Sequence, residues 1–106
     1  MDQRIVRLID RIKAHLRQTY GDRIKRVILY GSYARGEATK DSNVDVLVLV
    51  DPSLAPSEVR DSLSDLLYDM LMDEGELVSV AAIPEELFEK YNSPFMLNVR
   101  KEGLAV

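Results

Sequence analysis

The stretch Val44–Val50 reads VDVLVLV, and it restricts the fold more tightly than any other part of the chain. Seven residues dominated by Val and Leu favour extended backbone. Their near-continuous apolar run, without polar alternation, predicts a central strand covered on both faces. Such a strand needs other strands at its edges and helices above and below it. The remaining sequence supplies both. Ile24–Tyr30 (IKRVILY) and residues 77–83 (LVSVAAI) read as further strands. Residues 3–19 place Ile5, Leu8, Ile9, Ile12 and Leu16 at helical spacing, with Arg4, Arg7, Arg11 and Lys13 between them. Asp2 stands where a cap is expected, and Tyr20-Gly21 ends this helix. A second amphipathic helix is predicted from Pro56 to about Met72, stopped by Gly75. Pro84 opens a short helix at a position that tolerates proline, and a last helix runs from Ser93-Pro94 to Gly103. The order α-β-loop-β-α-β-α-α contains no repeat, low-complexity segment or linker, so residues 1–106 read as a single α/β domain.

Charge and composition narrow the chemistry. The net charge is −4, with no basic run, which argues against DNA or RNA as a partner, since their phosphates are held by surplus Lys and Arg. A small nucleotide carrying its own Mg²⁺, or a protein partner, suits this balance better. The chain has no cysteine, and His15 is its one histidine, which removes thiolate and multi-histidine metal sites. No apolar run is long enough for a membrane span, and the charged N-terminus is unlike a signal peptide, so a cytoplasmic protein is expected.

The candidate chemistry lies in GSYARGEATKDSNVDV, residues 31–46. A strand that ends in Gly31-Ser32 and turns into Tyr33-Ala34-Arg35 presents a hydroxyl and successive backbone N–H groups at the mouth of the sheet. If a short helix starts there, those N–H groups form a phosphate seat. Gly31 permits close backbone approach, and Arg35 lies near enough to offer a guanidinium to phosphate. Taken alone, Gly-Ser reads first as a plain turn. Asn43 and Asp45, two apart on a strand, share one face, as residues jointly holding Mg²⁺ must. Asp45 stands among Val44, Val46, Leu47 and Val48, where an acid needs a partner or an ion unless it sits at a solvated strand entrance.

Gly31-Ser32, ten residues, then Asn43-x-Asp45, with a strand before and after, resembles the GS-x10-D-x-D signature of the polymerase-beta-like nucleotidyltransferases. Tyr33-Ala34-Arg35-Gly36 continues the match, and the single short domain is similar to the minimal nucleotidyltransferases (MNT). The likeness extends to the C-terminal NSPFMLNVRKEG. It implies a small mixed sheet flanked by helices. It also implies an antitoxin that moves AMP from Mg-ATP to a tyrosine hydroxyl of a HEPN-domain toxin. On that resemblance Gly31 and Ser32 grip the β- and γ-phosphates, Arg35 assists, Asp45 is the second ligand of a two-ion Mg²⁺ site, and Asn43 stands in the first ligand position.

Two acid positions of the signature are not acids. Asn43 offers one neutral carbonyl oxygen in place of a carboxylate, and the third acid position, on the strand after the second helix, holds Ser79. Glu74 and Glu76 are nearby, but Glu76 would point to the opposite face from Ser79 in a regular strand. The expected metal site is therefore weakened. The alternative reading is a catalytically degenerate module that neutralises a partner protein by occlusion. Elsewhere, His15 reads as a boundary residue, and Met70 and Met72 as core filling. Asp69, Asp73, Glu74 and Glu76 read as a solvated acidic face. Phe88, Tyr91 and Phe95 are candidates for an oligomer or partner interface.

Overall fold

The computed structural model describes residues 2–106. Helix α1 (Gln3–Tyr20) leads through a 3-10 turn at Gly21–Arg23 into β1 (Ile24–Tyr30), the four-residue α2 (Ser32–Arg35), and β2 (Val44–Val50). Then follow α3 (Pro56–Ser62), α4 (Ser64–Glu74), β3 (Val78–Pro84), α5 (Glu85–Lys90), α6 (Pro94–Glu102) and β4 (Leu104–Ala105). The sheet order is β3-β2-β1-β4. β1 is antiparallel to both β2 and β4, whereas β2 and β3 are parallel across the α3–α4 crossover. This is the small mixed sheet with flanking helices that the sequence implies.

β2 is central and covered on both sides, as its apolar run requires. Val44, Val46, Val48 and Val50 pack with Ile5, Leu8, Ile12 and Leu16 of α1 and with Val59 and Met70 of the crossover helices. Leu47 and Leu49 point the other way, against Ile28, Phe88 of α5 and Val99 of α6. Each such side chain contributes about 1.5–3 kcal/mol on burial. Ile24 pairs with Val50 and Arg26 with Leu49, so Lys25 is an extra residue in β1. This bulge lets Ile24, Val27 and Leu29 share the α1 face. Arg26 emerges on the other face, over the Phe88 ring.

The helix ends follow their capping chemistry. Asp2 accepts from the Arg4 N–H at 2.8 Å, and Ser93 accepts from the Met96 N–H at 3.2 Å. Gly75 closes α4 in the left-handed conformation, at φ 68°.

Several sequence expectations need correction. The helix expected from Pro56 to Met72 is two helices, because the Ser62 hydroxyl donates to the Val59 carbonyl at 2.8 Å and competes with the helical ladder. Pro84 ends β3 rather than opening α5, since a missing N–H is harmless at the end of an edge strand. β4 is too short to carry a periodic signal and was not expected. Met72 is 61% exposed, not core, whereas Met70 is fully buried. Phe88 is buried in the second cluster and so is no interface residue, while Tyr91 and Phe95 are exposed. Glu76 leaves the acidic face to pair with Arg4 at 2.7 Å, and it is buried. His15 is a half-buried boundary residue, 3.4 Å from the Ser62 hydroxyl.

If β2 carries the core as described, Leu47→Ala will cost about 2–5 kcal/mol in urea denaturation. The exposed Leu104→Ala will stay within about 0.5 kcal/mol of the parent. Equal losses would contradict the two-faced burial of β2.

Candidate functional site

Three strand ends meet at one end of the sheet. β1 runs antiparallel to β2, so its last residue, Tyr30, lies opposite Asp45 near the start of β2. β3 runs parallel to β2, so Ser79, near its start, lies on the other side of Asp45. Two residues deeper into the sheet on each strand, Ile28, Leu47 and Ala81 belong to the α5–α6 face. The pleat therefore directs Tyr30, Asp45 and Ser79 to that same face.

Gly31 takes φ 77° and ψ −156° before the chain enters α2. A Cβ built there would collide with Oδ2 of Asp45. Two independent reasons thus require glycine: the left-handed φ and the carboxylate pressed against the turn. α2 begins at Ser32, and the Arg35 N–H is the first to bond back, to the Gly31 carbonyl at 3.1 Å. The N–H groups of Ser32, Tyr33 and Ala34 precede that bond and have no intrahelical acceptor.

Asp45 makes no hydrogen bond or ion pair among the described residues. Burial pushes its carboxyl above the usual carboxylate range, and the positive Arg35 draws it partly back. The neighbouring Tyr30 hydroxyl is also pushed up, by burial first and the Asp45 charge second. Tyr30 is held edge-on by Phe95 of α6, with ring centroids 5.4 Å apart. Arg35 is not free: Nε donates to Glu37 Oε2 at 3.2 Å and Nη1 to Glu102 Oε1 at 3.1 Å. These bonds to Glu37 and Glu102 raise the guanidinium further above its ordinary value. Tyr33 turns to the α1 side, where burial and then the Glu76 carboxylate raise its hydroxyl pKa.

Asn43 is exposed, two residues before Asp45 and just outside β2. Thr39 and Ser42 close the turn ahead of it, with the Ser42 hydroxyl accepting from the Thr39 N–H at 2.8 Å. Glu74 and Glu76 do not come to the site, because Arg11 and Arg4 of α1 hold them. Among the described residues no three His, Cys, Asp or Glu side chains converge as a metal cage. The donor set is one carboxylate, one amide and hydroxyls. That suits a single hard cation sharing phosphate oxygens and lacks a second acid to bridge two ions. The site is an open rim. A cavity of about 290 Å³ lies on the same sheet face but contacts Arg26, Phe88 and Arg100, and none of Ser32, Asn43 or Asp45 lines it.

Tyr30 and Glu102 are site neighbours that sequence reasoning missed. Tyr30 stood next to Gly31 in plain view, but its pairing with Asp45 depends on register. Glu102 comes from the far end of the chain with no local signal.

The chain matches the family model described as "Nucleotidyltransferase domain" over residues 9–101. A Methanocaldococcus jannaschii protein, provisionally named a protein adenylyltransferase, is 38% identical over 89 residues, 83% of each chain. The protein adenylyltransferase MntA of Thermococcus cleftensis is 38% identical over 66 residues, 57% of this chain and 65% of that one. A crystal structure described as a toxin–antitoxin with AMP-PNP superposes with TM-score 0.62 at 18% identity, over 91% of this chain and 69% of that chain. That likeness is one of fold.

The raised Asp45 pKa gives a stability test. The native state holds this proton more tightly than the unfolded chain, so ionised Asp45 lowers stability as pH rises above the unfolded value of 3.8. Asp45→Asn should therefore raise the thermal midpoint of the metal-free protein at pH 7, and the gain should vanish at pH values below 3.8. A lower midpoint at pH 7 would mean that the carboxylate has a stabilising partner.

Proposed function

The chain belongs to the nucleotidyltransferase-domain family as a minimal member, and from that premise we propose that it binds Mg-ATP at the Gly31-Ser32 turn and transfers AMP to a tyrosine hydroxyl of a partner toxin of the HEPN type. The observation that carries this reading is the half-buried, unpartnered Asp45 carboxylate set against the backbone of Gly31. The names of the adenylyltransferase relatives and of the toxin–antitoxin structure support the choice of nucleotide and partner.

On this reading the free N–H groups at the start of α2 and the Ser32 hydroxyl hold the β- and γ-phosphates. Asp45 and the Asn43 carbonyl face the α-phosphate side. A bound Mg²⁺ would neutralise phosphate charge and polarise the oxygens at phosphorus. The acceptor oxygen attacks the α-phosphorus, a new P–O bond forms, the α–β anhydride bond breaks, and pyrophosphate leaves. The acceptor proton passes to solvent, because no carboxylate stands at Ser79 to take it. In transfers of this kind positioning and electrostatics carry most of the rate, so the missing base is the smaller deficit and Asn43 the larger.

A second reading keeps the nucleotide but not the chemistry: the chain neutralises its partner by occlusion. Asn43 and Ser79 beside a single acid favour it.

Calorimetry with ATP, with and without Mg²⁺, separates these readings when joined to an AMP-transfer assay on the partner. Binding should require Mg²⁺, be lost in Asp45→Ala, and tighten about 10-fold or more in Asn43→Asp, since even indirect metal contacts are worth that much. Transfer that appears only in Asn43→Asp would select occlusion as the activity of the present chain. No ATP binding by either protein would overturn the nucleotide reading.

A further inference from the structure

We propose that Glu102 is a positioning residue of the nucleotide site that acts through Arg35, holding the guanidinium until a triphosphate displaces it. The inference rests on the nucleotide-binding reading above. Arg35 ends the same short helix that begins at Ser32, so its charge belongs to the turn that would hold phosphate. Its Nε and Nη1 are already committed, to Glu37 and Glu102. Two carboxylates on one guanidinium leave the cluster net negative, and Asp45 adds to that field. Those two bonds use only part of the five-donor fork, but the carboxylates offset its charge, so an incoming triphosphate competes with them for Arg35.

The exchange is feasible because both pairs are accessible. The Arg35 side chain is 41% exposed, Glu37 67% and Glu102 26%. Pairs of this kind hold weakly against water, and a polyphosphate offers more charge and several acceptor oxygens to the guanidinium. The two acids are not equivalent. Glu37 follows Arg35 by two residues and moves with the turn. Glu102 is the less exposed of the two and belongs to another element, at the end of α6. Behind it the Gly103 N–H bonds to Val99 O at 2.7 Å, and the Val106 N–H to Val27 O at 3.0 Å. The Arg35–Glu102 contact thus fastens the Gly-Ser turn to the segment that forms β4. Coupling is reciprocal: a nucleotide that draws Arg35 away loosens that segment, and cutting the tie beforehand helps the nucleotide.

The test is a double-mutant cycle on Arg35→Gln and Glu102→Gln, read by calorimetry with ATP in the presence of Mg²⁺ and by hydrogen exchange of the Gly103 and Val106 amides. Glu102→Gln should bind ATP about 2- to 5-fold tighter than the parent, the range an accessible ion pair can supply. The gain should vanish in the Arg35→Gln background, which a merely structural role of Glu102 would not produce. ATP should speed exchange at both amides in the parent and leave it unchanged in Glu102→Gln. Equal or weaker binding by Glu102→Gln, while the parent binds ATP, overturns the proposal and leaves the nucleotide reading standing. No binding by any variant overturns both. If Glu102→Gln fails to fold, Glu102→Asp, which shortens the reach to Arg35, carries the same test and must also bind more tightly.

Discussion

The contact between the Asp45 carboxylate and the backbone of Gly31 ties the fold of this chain to its chemistry. It excludes any side chain at residue 31 and fixes where the chain leaves β1, and hence where the first free N–H groups of α2 begin. The contact exists only because β1 and β2 pair with Tyr30 opposite Asp45. A slip of one residue would turn Asp45 onto the α1 face, against the apolar stripe of that helix, where an unpaired carboxylate would be far more costly. The valines on one face of β2 and the leucines on the other hold that register. The apolar run that dictates the fold therefore also fixes the position of its one polar member.

Charge is sorted across the sheet in the same way. On the α1 side Arg4 and Arg11 engage Glu76 and Glu74, so two acids close to the site in sequence are spent on anchoring the helix. On the α6 side Arg35 gathers Glu37 and Glu102. Asp45 has no hydrogen-bond or ion-pair partner among the described residues, and its desolvation is the cost of keeping it available, in the manner of sites that give up stability for function.

Much of this was legible in the sequence because it is local. VDVLVLV, the five apolar residues of α1, the Asp2 and Ser93 caps and the Gly75 stop each act within a turn or a strand, and each stands where the pattern put it. The Gly-Ser turn and Asp45 were legible through their spacing and are brought together by the structure. What was hidden depends on pairing or on competition. β4 exists because β1 offers a free edge, not because Leu104-Ala105 favours extension. The break at Leu63 follows from one hydroxyl of Ser62, and the burial of Phe88 from α5 folding back over Leu47 and Leu49. Glu102 reaches Arg35 across 67 residues of sequence.

The two departures from the family signature do not fall evenly around Asp45. On the β1 side stand Gly31, Ser32 and the free N–H groups, and nothing there has changed. On the β3 side stands Ser79, and ahead of the strand Asn43, both without charge. On the proposed reading the first side holds the leaving phosphates, and the second would hold Mg²⁺ and faces the α-phosphorus, where the acceptor oxygen attacks. Ground-state binding draws mainly on the first. The developing charge of the transition state draws on the second, and only interactions that strengthen there raise the rate. Uncharged residues on the second side alone therefore weaken binding but take more from transfer. On the proposed reading a site altered in this pattern would still hold nucleotide, though less tightly, while its chemistry slows more, and a partner bound beside it would meet an occupied but sluggish site.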